Sequence, residues 1–411
     1  MEGVPLTEIA GAVGTPSYVY SGAIIRQQYA KLSNALDGVP HRLHYAMKAN
    51  SNRAVLQLLK GLGAGIDIVS GGELFRAMAA GYSGADVVFS GVGKTVAELE
   101  YALDSAVKLI NVESRAELVA LNEVARQHGS VAPVALRVNP EVTVNTAHAY
   151  ISTGEKGHKF GIPHEEVPQL LEFATGLANV RLAGLGMHLG SQINNASPLR
   201  DAMPRLFFAL AEARRLGHEP QFLDLGGGLS VPYAAHETDA DVDDYATLLR
   251  TSMQSAGGDL ELLLEPGRFL VAESGVLLVK VLYLKHAAGK HFVVTDGAMN
   301  DLIRPALYQA WHNIEAVVDA GGELVADVVG PICESSDFFA LERRLSRVAA
   351  GDLLAVRTTG AYGYAMASNY NSRPRPAEVL VDGSRFAIIS ERERYEDLMR
   401  LETDHLQWRS C

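Results

Sequence analysis

The chain has 411 residues, and its 36 Lys plus Arg against 48 Asp plus Glu leave a formal charge of −12. At about 150 residues per domain this length predicts two or three domains. An acidic chain is a poor partner for nucleic acid or an anionic membrane surface, because both attract clustered positive charge.

With 48% hydrophobic and 20% charged residues, the composition is that of a globular protein. Two cysteines, Cys333 and Cys411, cannot build a disulfide framework, which predicts a reducing compartment. The opening MEGVPLTEIA lacks the basic region of a signal peptide. The most apolar stretch, Gly275–Leu284, is interrupted by Lys280 and falls short of the roughly 18 residues of a membrane span. A soluble, cytoplasmic protein is expected.

In chain order, short apolar runs alternate with amphipathic stretches. Strands are predicted at Leu43–Met47, Ile66–Val69, Val87–Phe89, Leu109–Val112, Val134–Val138, Leu182–His188, Phe222–Leu225 and Leu260–Leu264. Helical patterns such as Asn52–Lys60, Gly72–Ala80, Val96–Ala106 and Ser114–His128 lie between them. This alternation predicts parallel strands with helical crossovers. The unit count fits a (β/α)8 barrel of about 250 residues, with an open doubly wound sheet as the alternative.

After Pro266 the texture changes. Val276–Tyr283, His291–Thr295, Asp327–Val329, Leu353–Val356, Glu378–Val381 and Phe386–Ile389 are strand-like without regular helices between them. They predict an all-β second domain. Ser17–Tyr20 is also strand-like and is expected to pair into that domain. The expected organisation is therefore an N-terminal segment 1–30 pairing into the β domain, a barrel over 31–275 and a β-rich domain over 276–411.

Several motif searches fail. SGVGKT at Ser90–Thr95 has Val88 where a Walker A loop needs glycine, and Gly184, Gly186 and Gly190 miss the GxGxxG spacing. GxSxG and HExxH are absent, and the histidines show no metal-ligand spacing. No metal is expected.

The remaining signals sit after strands. Lys48 follows the first, His188 ends the sixth, Gly226, Gly227 and Gly228 follow the seventh, and Glu265 and Arg268 follow the eighth. In a barrel these ends form one rim, where the chemistry sits. Each residue alone has an ordinary explanation: a solvated end cap, a structural imidazole, a tight turn, a surface ion pair. Together they supply an amine for an aldehyde, a backbone cradle for a phosphate and an acid for a ring nitrogen, as pyridoxal 5'-phosphate requires. Three more segments lie in the β-rich part: Asn300–Tyr308, Cys333–Asp337 and Gly360–Pro376.

These motifs resemble the fold-type III pyridoxal-phosphate enzymes, alanine-racemase-like barrels with a β domain, and within them the diaminopimelate decarboxylase family. The resemblance spans the chain through YAMKAN (Tyr45–Asn50), DIVSGGEL (Asp67–Leu74), FSGVGKT (Phe89–Thr95), ISTGEKGHKFGI (Ile151–Ile162), HLGSQI (His188–Ile193), GGGLSVPY (Gly226–Tyr233), EPGRFLVAESG (Glu265–Gly275), MNDLIRPALY (Met299–Tyr308), CESSD (Cys333–Asp337) and GAYGYAMASNYNSRP.

It implies a carboxy-lyase that converts meso-2,6-diaminopimelate to L-lysine and carbon dioxide, the last step of lysine biosynthesis. Lys48 would carry the cofactor. Glu265 would face the ring nitrogen, and His188 would stack on the ring. Ser191, Gly227, Gly228, Pro266, Gly267, Arg268 and Tyr362 would complete the cofactor site. Arg268, Arg304, Tyr308, Glu334 and Tyr362 would hold the substrate's distal head, and Cys333 would donate the product proton. A homodimer with composite sites is implied, because Cys333 arrives from the partner subunit. The nearest alternative is a related decarboxylase of ornithine, arginine, lysine or carboxynorspermidine. Ornithine, arginine and lysine would leave Arg304 without a distal carboxylate to bind. A racemase is disfavoured by Glu265. A single-barrel cofactor carrier is disfavoured by the β-rich half, and a cofactor-free barrel leaves the tyrosine and cysteine motifs unexplained.

Overall fold

The computed structural model describes residues 1–142, 157–403, 406, 408 and 409. Residues 151–156 of the ISTGEKGHKFGI run and Cys411 lie outside the described residues. The chain divides into two compact units, Ala23–Glu273 and Met1–Gly22 with Ser274–Cys411.

Strand β1 is Ser17–Ser21. The next strands are β2 His41–Ala46, β3 Gly65–Ile68, β4 Val87–Phe89, β5 Leu109–Val112, β6 Ala132–Asn139, β7 Ile162–Pro163, β8 Val180–Gly186, β9 Phe222–Asp224 and β10 Glu261–Leu264. All pairings from β2 to β10 are parallel, and β5 also pairs with β6 while β10 pairs with β2. That closes eight strands into a barrel, with the two-residue β7 lying beside the end of β6. β3, β4 and β5 are buried at every position. Continuous apolar runs suit strands covered on both faces. Val88, Leu109, Ala135, Ala183 and Leu263 pack together in one cluster.

The crossover helices start where the sequence provides caps. The side chains of Ser70, Thr95 and Ser114 accept hydrogen bonds from the backbone N–H of Glu73, Glu98 and Glu117. Each cap satisfies an orphan donor and contributes about 1 kcal/mol. More important for the site, it fixes where the strand ends and the loop begins.

The other unit continues with β11 Gly275–Ala287, β12 Lys290–Thr295, β13 Ile314–Ala316, β14 Leu324–Val329, β15 Phe338–Leu345, β16 Leu353–Val356, β17 Ala377–Asp382 and β18 Arg385–Ser390. The sheet order is β15-β14-β12-β11-β1-β17-β18, and β16 bridges β11 and β13. β1 is fully buried, antiparallel to β11 and parallel to β17. Its Tyr18 hydroxyl donates to the Asp301 carbonyl at 2.6 Å, and Tyr20 donates to Glu378 at 2.7 Å.

The division falls after Gly22 rather than at residue 30. Helix Gly22–Ala35 anchors to the barrel unit: Gln28 donates to Glu273, and Lys31 sits over the Phe269 ring. The β-rich unit also carries short helices at Leu6–Val13, Arg304–Tyr308 and Tyr395–Met399. Among the described residues, no helix is long and apolar enough to cross a membrane.

Candidate active site

The C-terminal ends of the barrel strands bring together the residues expected there. Lys48 lies in the single turn Met47–Ala49 directly after β2. The Ala46 N–H donates to the Pro266 carbonyl, tying this turn to the loop after β10. Lys48 Nζ stands 3.7 Å from Asp67 Oδ2 on β3, with the Asp67 side chain wholly buried. Burial, followed by the nearby Glu265, pushes the Asp67 carboxyl up to about 7, against the opposing pull of Lys48.

Glu265 follows β10 and is 7% exposed. Ser90 Oγ donates to Glu265 Oε1 at 3.1 Å. Asn111 Nδ2 reaches the same oxygen at 3.4 Å and Asp224 Oδ2 at 3.0 Å. Asn111 Nδ2 thus touches both the Glu265 and the Asp224 carboxyl groups, which lie together in the buried cluster. Burial and then Asp224 raise the Glu265 pKa; burial also raises that of Asp224. Two adjacent buried carboxylates cannot both ionise cheaply, which favours a protonated carboxyl in this pair.

His188 stands two residues beyond β8. The Gly227 N–H donates to its Nδ1 at 3.1 Å, which makes Nδ1 the acceptor. Burial, then Arg137 and Lys48, hold the imidazole pKa well below its ordinary value. The ring is therefore neutral at pH 7, with its proton on Nε2.

The loop after β9 passes close to both neighbouring strand ends. A Cβ at Gly227 would collide with the Glu265 carbonyl oxygen. Gly228 has φ +114°, and a Cβ there would lie 2.5 Å from the Gly190 carbonyl oxygen. Only glycine permits this approach, which brings the loop close to both strand ends where a phosphate would sit; the Gly226 N–H meets Asp224 Oδ1 there. Gly267 precedes the short helix Arg268–Val271. Arg268 is buried; it donates to the Tyr233 hydroxyl at 2.6 Å and to Ser191 Oγ at 3.2 Å. Amine, buried acid, neutral imidazole and glycine-lined loop fit the aldehyde, ring nitrogen, ring face and phosphate of pyridoxal phosphate.

In the β-rich unit, three sequence motifs converge. Asp337 accepts from the N–H groups of Met299 and Ile332, both at 2.7 Å. Ser368 N–H donates to the Asn300 carbonyl at 2.9 Å. Cys333 and Glu334 are exposed on the β14–β15 loop. Cys333 N–H donates to Asn371 Oδ1 at 2.9 Å, and the Tyr370 hydroxyl to Glu334 at 3.2 Å. Arg304 and the half-buried Tyr308 lie on the helix Arg304–Tyr308, with Arg304 buried at 7% exposure. Tyr362 follows β16 with φ +56°, a conformation uncommon outside glycine.

Sequence reasoning gave no role to Asp67, Ser90, Asn111, Asp224, Arg137 or Tyr233. The available signal was a lone polar residue inside an apolar strand run: Asp67 in GIDI, Asn111 in LINV, Asp224 in FLD.

This barrel and its rim define a pyridoxal-phosphate enzyme, and the chain belongs to the family described as "Pyridoxal-dependent decarboxylase, pyridoxal binding domain", which matches residues 22–272. Its relatives include the diaminopimelate decarboxylases of Vibrio cholerae, 46% identical over 98% of this chain and 96% of the relative, and of Pseudomonas aeruginosa, 49% identical over 97% and 95%. The crystal structure of diaminopimelate decarboxylase from Helicobacter pylori complexed with L-lysine superposes with TM-score 0.92 at 39% identity, covering 97% of this chain and 99% of that one. The lysine/ornithine decarboxylase of Vibrio vulnificus shares the fold, with TM-score 0.80 at 23% identity over 92% of this chain and 98% of that one.

Proposed function

We propose that this chain decarboxylates meso-2,6-diaminopimelate to L-lysine and carbon dioxide. The observation that carries this reading is the 46–49% identity, over nearly the whole chain, to enzymes named diaminopimelate decarboxylase. The buried guanidinium of Arg304 supports it, since a planar cation suits a second carboxylate.

When bound, pyridoxal phosphate supplies an electron sink for the pair left by departing carbon dioxide. The chain's residues do the rest. Lys48 would hold the cofactor through its Nζ, the amine at the end of β2. Glu265 would hold a proton at the ring nitrogen, with Asp224 behind it. His188 would offer its neutral imidazole to the ring face. Gly227, Gly228, Ser191, Tyr362 and the Glu265–Arg268 backbone would bind the phosphate. Arg268, Arg304, Tyr308, Tyr362 and Glu334 orient the distal amino-acid head. The Cys333 thiol returns a proton to the substrate carbon that lost carbon dioxide.

We further propose a cytoplasmic homodimer in which Cys333 and Glu334 of one subunit complete the barrel site of the other. Their exposure on a loop supports this. The direct test is carbon dioxide release by the holoenzyme from a panel of amino acids. Meso-diaminopimelate should yield one carbon dioxide and one L-lysine per molecule. Faster turnover of ornithine or arginine would overturn the substrate assignment.

A further inference from the structure

We infer that His312 positions Arg304 for recognition of the distal substrate carboxylate, an inference that rests on the substrate reading above. His312 lies eight residues after Arg304 and is wholly buried. Its Nδ1 contacts the Arg357 carbonyl at 2.9 Å, so Nδ1 carries the proton and donates. Its Nε2 is then an acceptor, and Arg304 Nη1 donates to it at 2.8 Å. Guanidinium cannot act as acceptor, so the two contacts together fix one tautomer.

The segment holding the imidazole is itself fastened. Arg357 N–H donates to the Asn313 carbonyl at 2.8 Å. Arg343 Nη1 donates to the His312 carbonyl at 2.6 Å, and its guanidinium stacks over Trp311, 3.4 Å from the ring centroid. Imidazole therefore sits between a fixed carbonyl and the long Arg304 side chain, and passes the rigidity of one to the other. A neutral acceptor does this without cancelling the cation that the carboxylate must meet; an aspartate in its place would compete with substrate. Holding a long side chain in its binding geometry saves ordering cost on association.

The two contacts can be separated. His312→Gln can keep an acceptor toward Arg304 while losing the Arg357 link. His312→Asn can keep the Arg357 link while losing the acceptor. His312→Phe loses both. In the holoenzyme, Asn and Phe should raise KM for meso-diaminopimelate about 10-fold, the scale of one hydrogen bond to a charged group, with kcat within about twofold. The Ki of L-lysine, which retains the distal head, should rise in parallel. The Ki of 1,5-diaminopentane, which lacks any carboxylate, should not change. Gln should restore both values. If Asn behaves as wild type and Gln does not, His312 only anchors its loop and the inference fails. Arg304→Ala separates this from the substrate reading. Weakening of diaminopimelate and L-lysine by Arg304→Ala without any effect of Asn or Phe overturns the role of His312 alone. An unaffected Arg304→Ala enzyme overturns the reading beneath it.

Discussion

Glu265 and Asp224 are joined in the barrel interior by Asn111, whose Nδ2 lies 3.4 Å from Glu265 Oε1 and 3.0 Å from Asp224 Oδ2. Burial, with Asp224 beside it, favours a protonated Glu265 near neutral pH. Asp224→Asn removes the neighbouring charge that raises Glu265, so the Glu265 carboxyl should titrate at lower pH. Infrared difference spectra of the cofactor-free protein should show the protonated carboxyl band losing intensity at lower pH in the variant. An unchanged midpoint means the two groups are not coupled. Glu265→Gln should bind cofactor yet lose at least about 100-fold in carbon dioxide release.

The glycine cradle makes a second expectation. Gly227→Ala places a methyl group against the Glu265 carbonyl oxygen, so the loop must withdraw from the strand end. Cofactor affinity, measured by equilibrium titration of the cofactor-free protein, should fall by about 10-fold or more, the scale of one lost charge-assisted contact. Unaltered affinity would place the phosphate elsewhere.

Acid stability should depend on His44. This side chain is wholly buried on β2, and burial, then Arg42 and Lys108, lower its pKa to about 3. It is neutral when folded but protonates below about 6.5 when unfolded. Between those values the unfolded state binds the extra proton. The stability is therefore complete above about 6.5 and is lost as pH falls toward 3. Each unit costs up to about 1.4 kcal/mol, hence about 2 kcal/mol by pH 5. His44→Gln should shrink the difference in urea-unfolding free energy between pH 7 and pH 5 by that amount. An equal difference in both proteins would show that His44 does not set it.

Composite sites predict complementation. Lys48→Ala and Cys333→Ala subunits, each inactive, should regain activity when mixed and allowed to exchange. Half of the dimers are mixed at ideal exchange and each mixed dimer has one intact site, so about a quarter of all sites recover. Exchange without recovery would mean that Cys333 acts within its own subunit or not at all.

The barrel was legible because its strands are apolar on both faces and its helices announce themselves with Ser or Thr caps three residues before Glu. Phe338–Leu345 was not legible as a strand. FFALERRL carries helix-favouring Leu, Glu and Arg, and tertiary contacts decide the matter: Arg343 is buried with its guanidinium on the His312 carbonyl. Ile314–Ala316 is too short to show a period. At the site, Lys48, His188, Glu265 and the glycines stood out by chemistry and position. Asp224 and Asn111 act through partners far along the chain, which no local pattern reveals.

Every assignment on the rim depends on Lys48 being the amine that holds the cofactor. Lys94, one of the other lysines near these strand ends, has its Nζ committed to the Gly91 and Asn111 carbonyls and to Glu117, all within 2.7 Å. Borohydride reduction of the holoenzyme followed by peptide mapping reads the attachment point directly. The modified peptide should contain Lys48, and Lys48→Ala should yield none. Cofactor mapped to Lys94, to Lys159 or to any other amine, or retained reducibly in Lys48→Ala, would contradict the account.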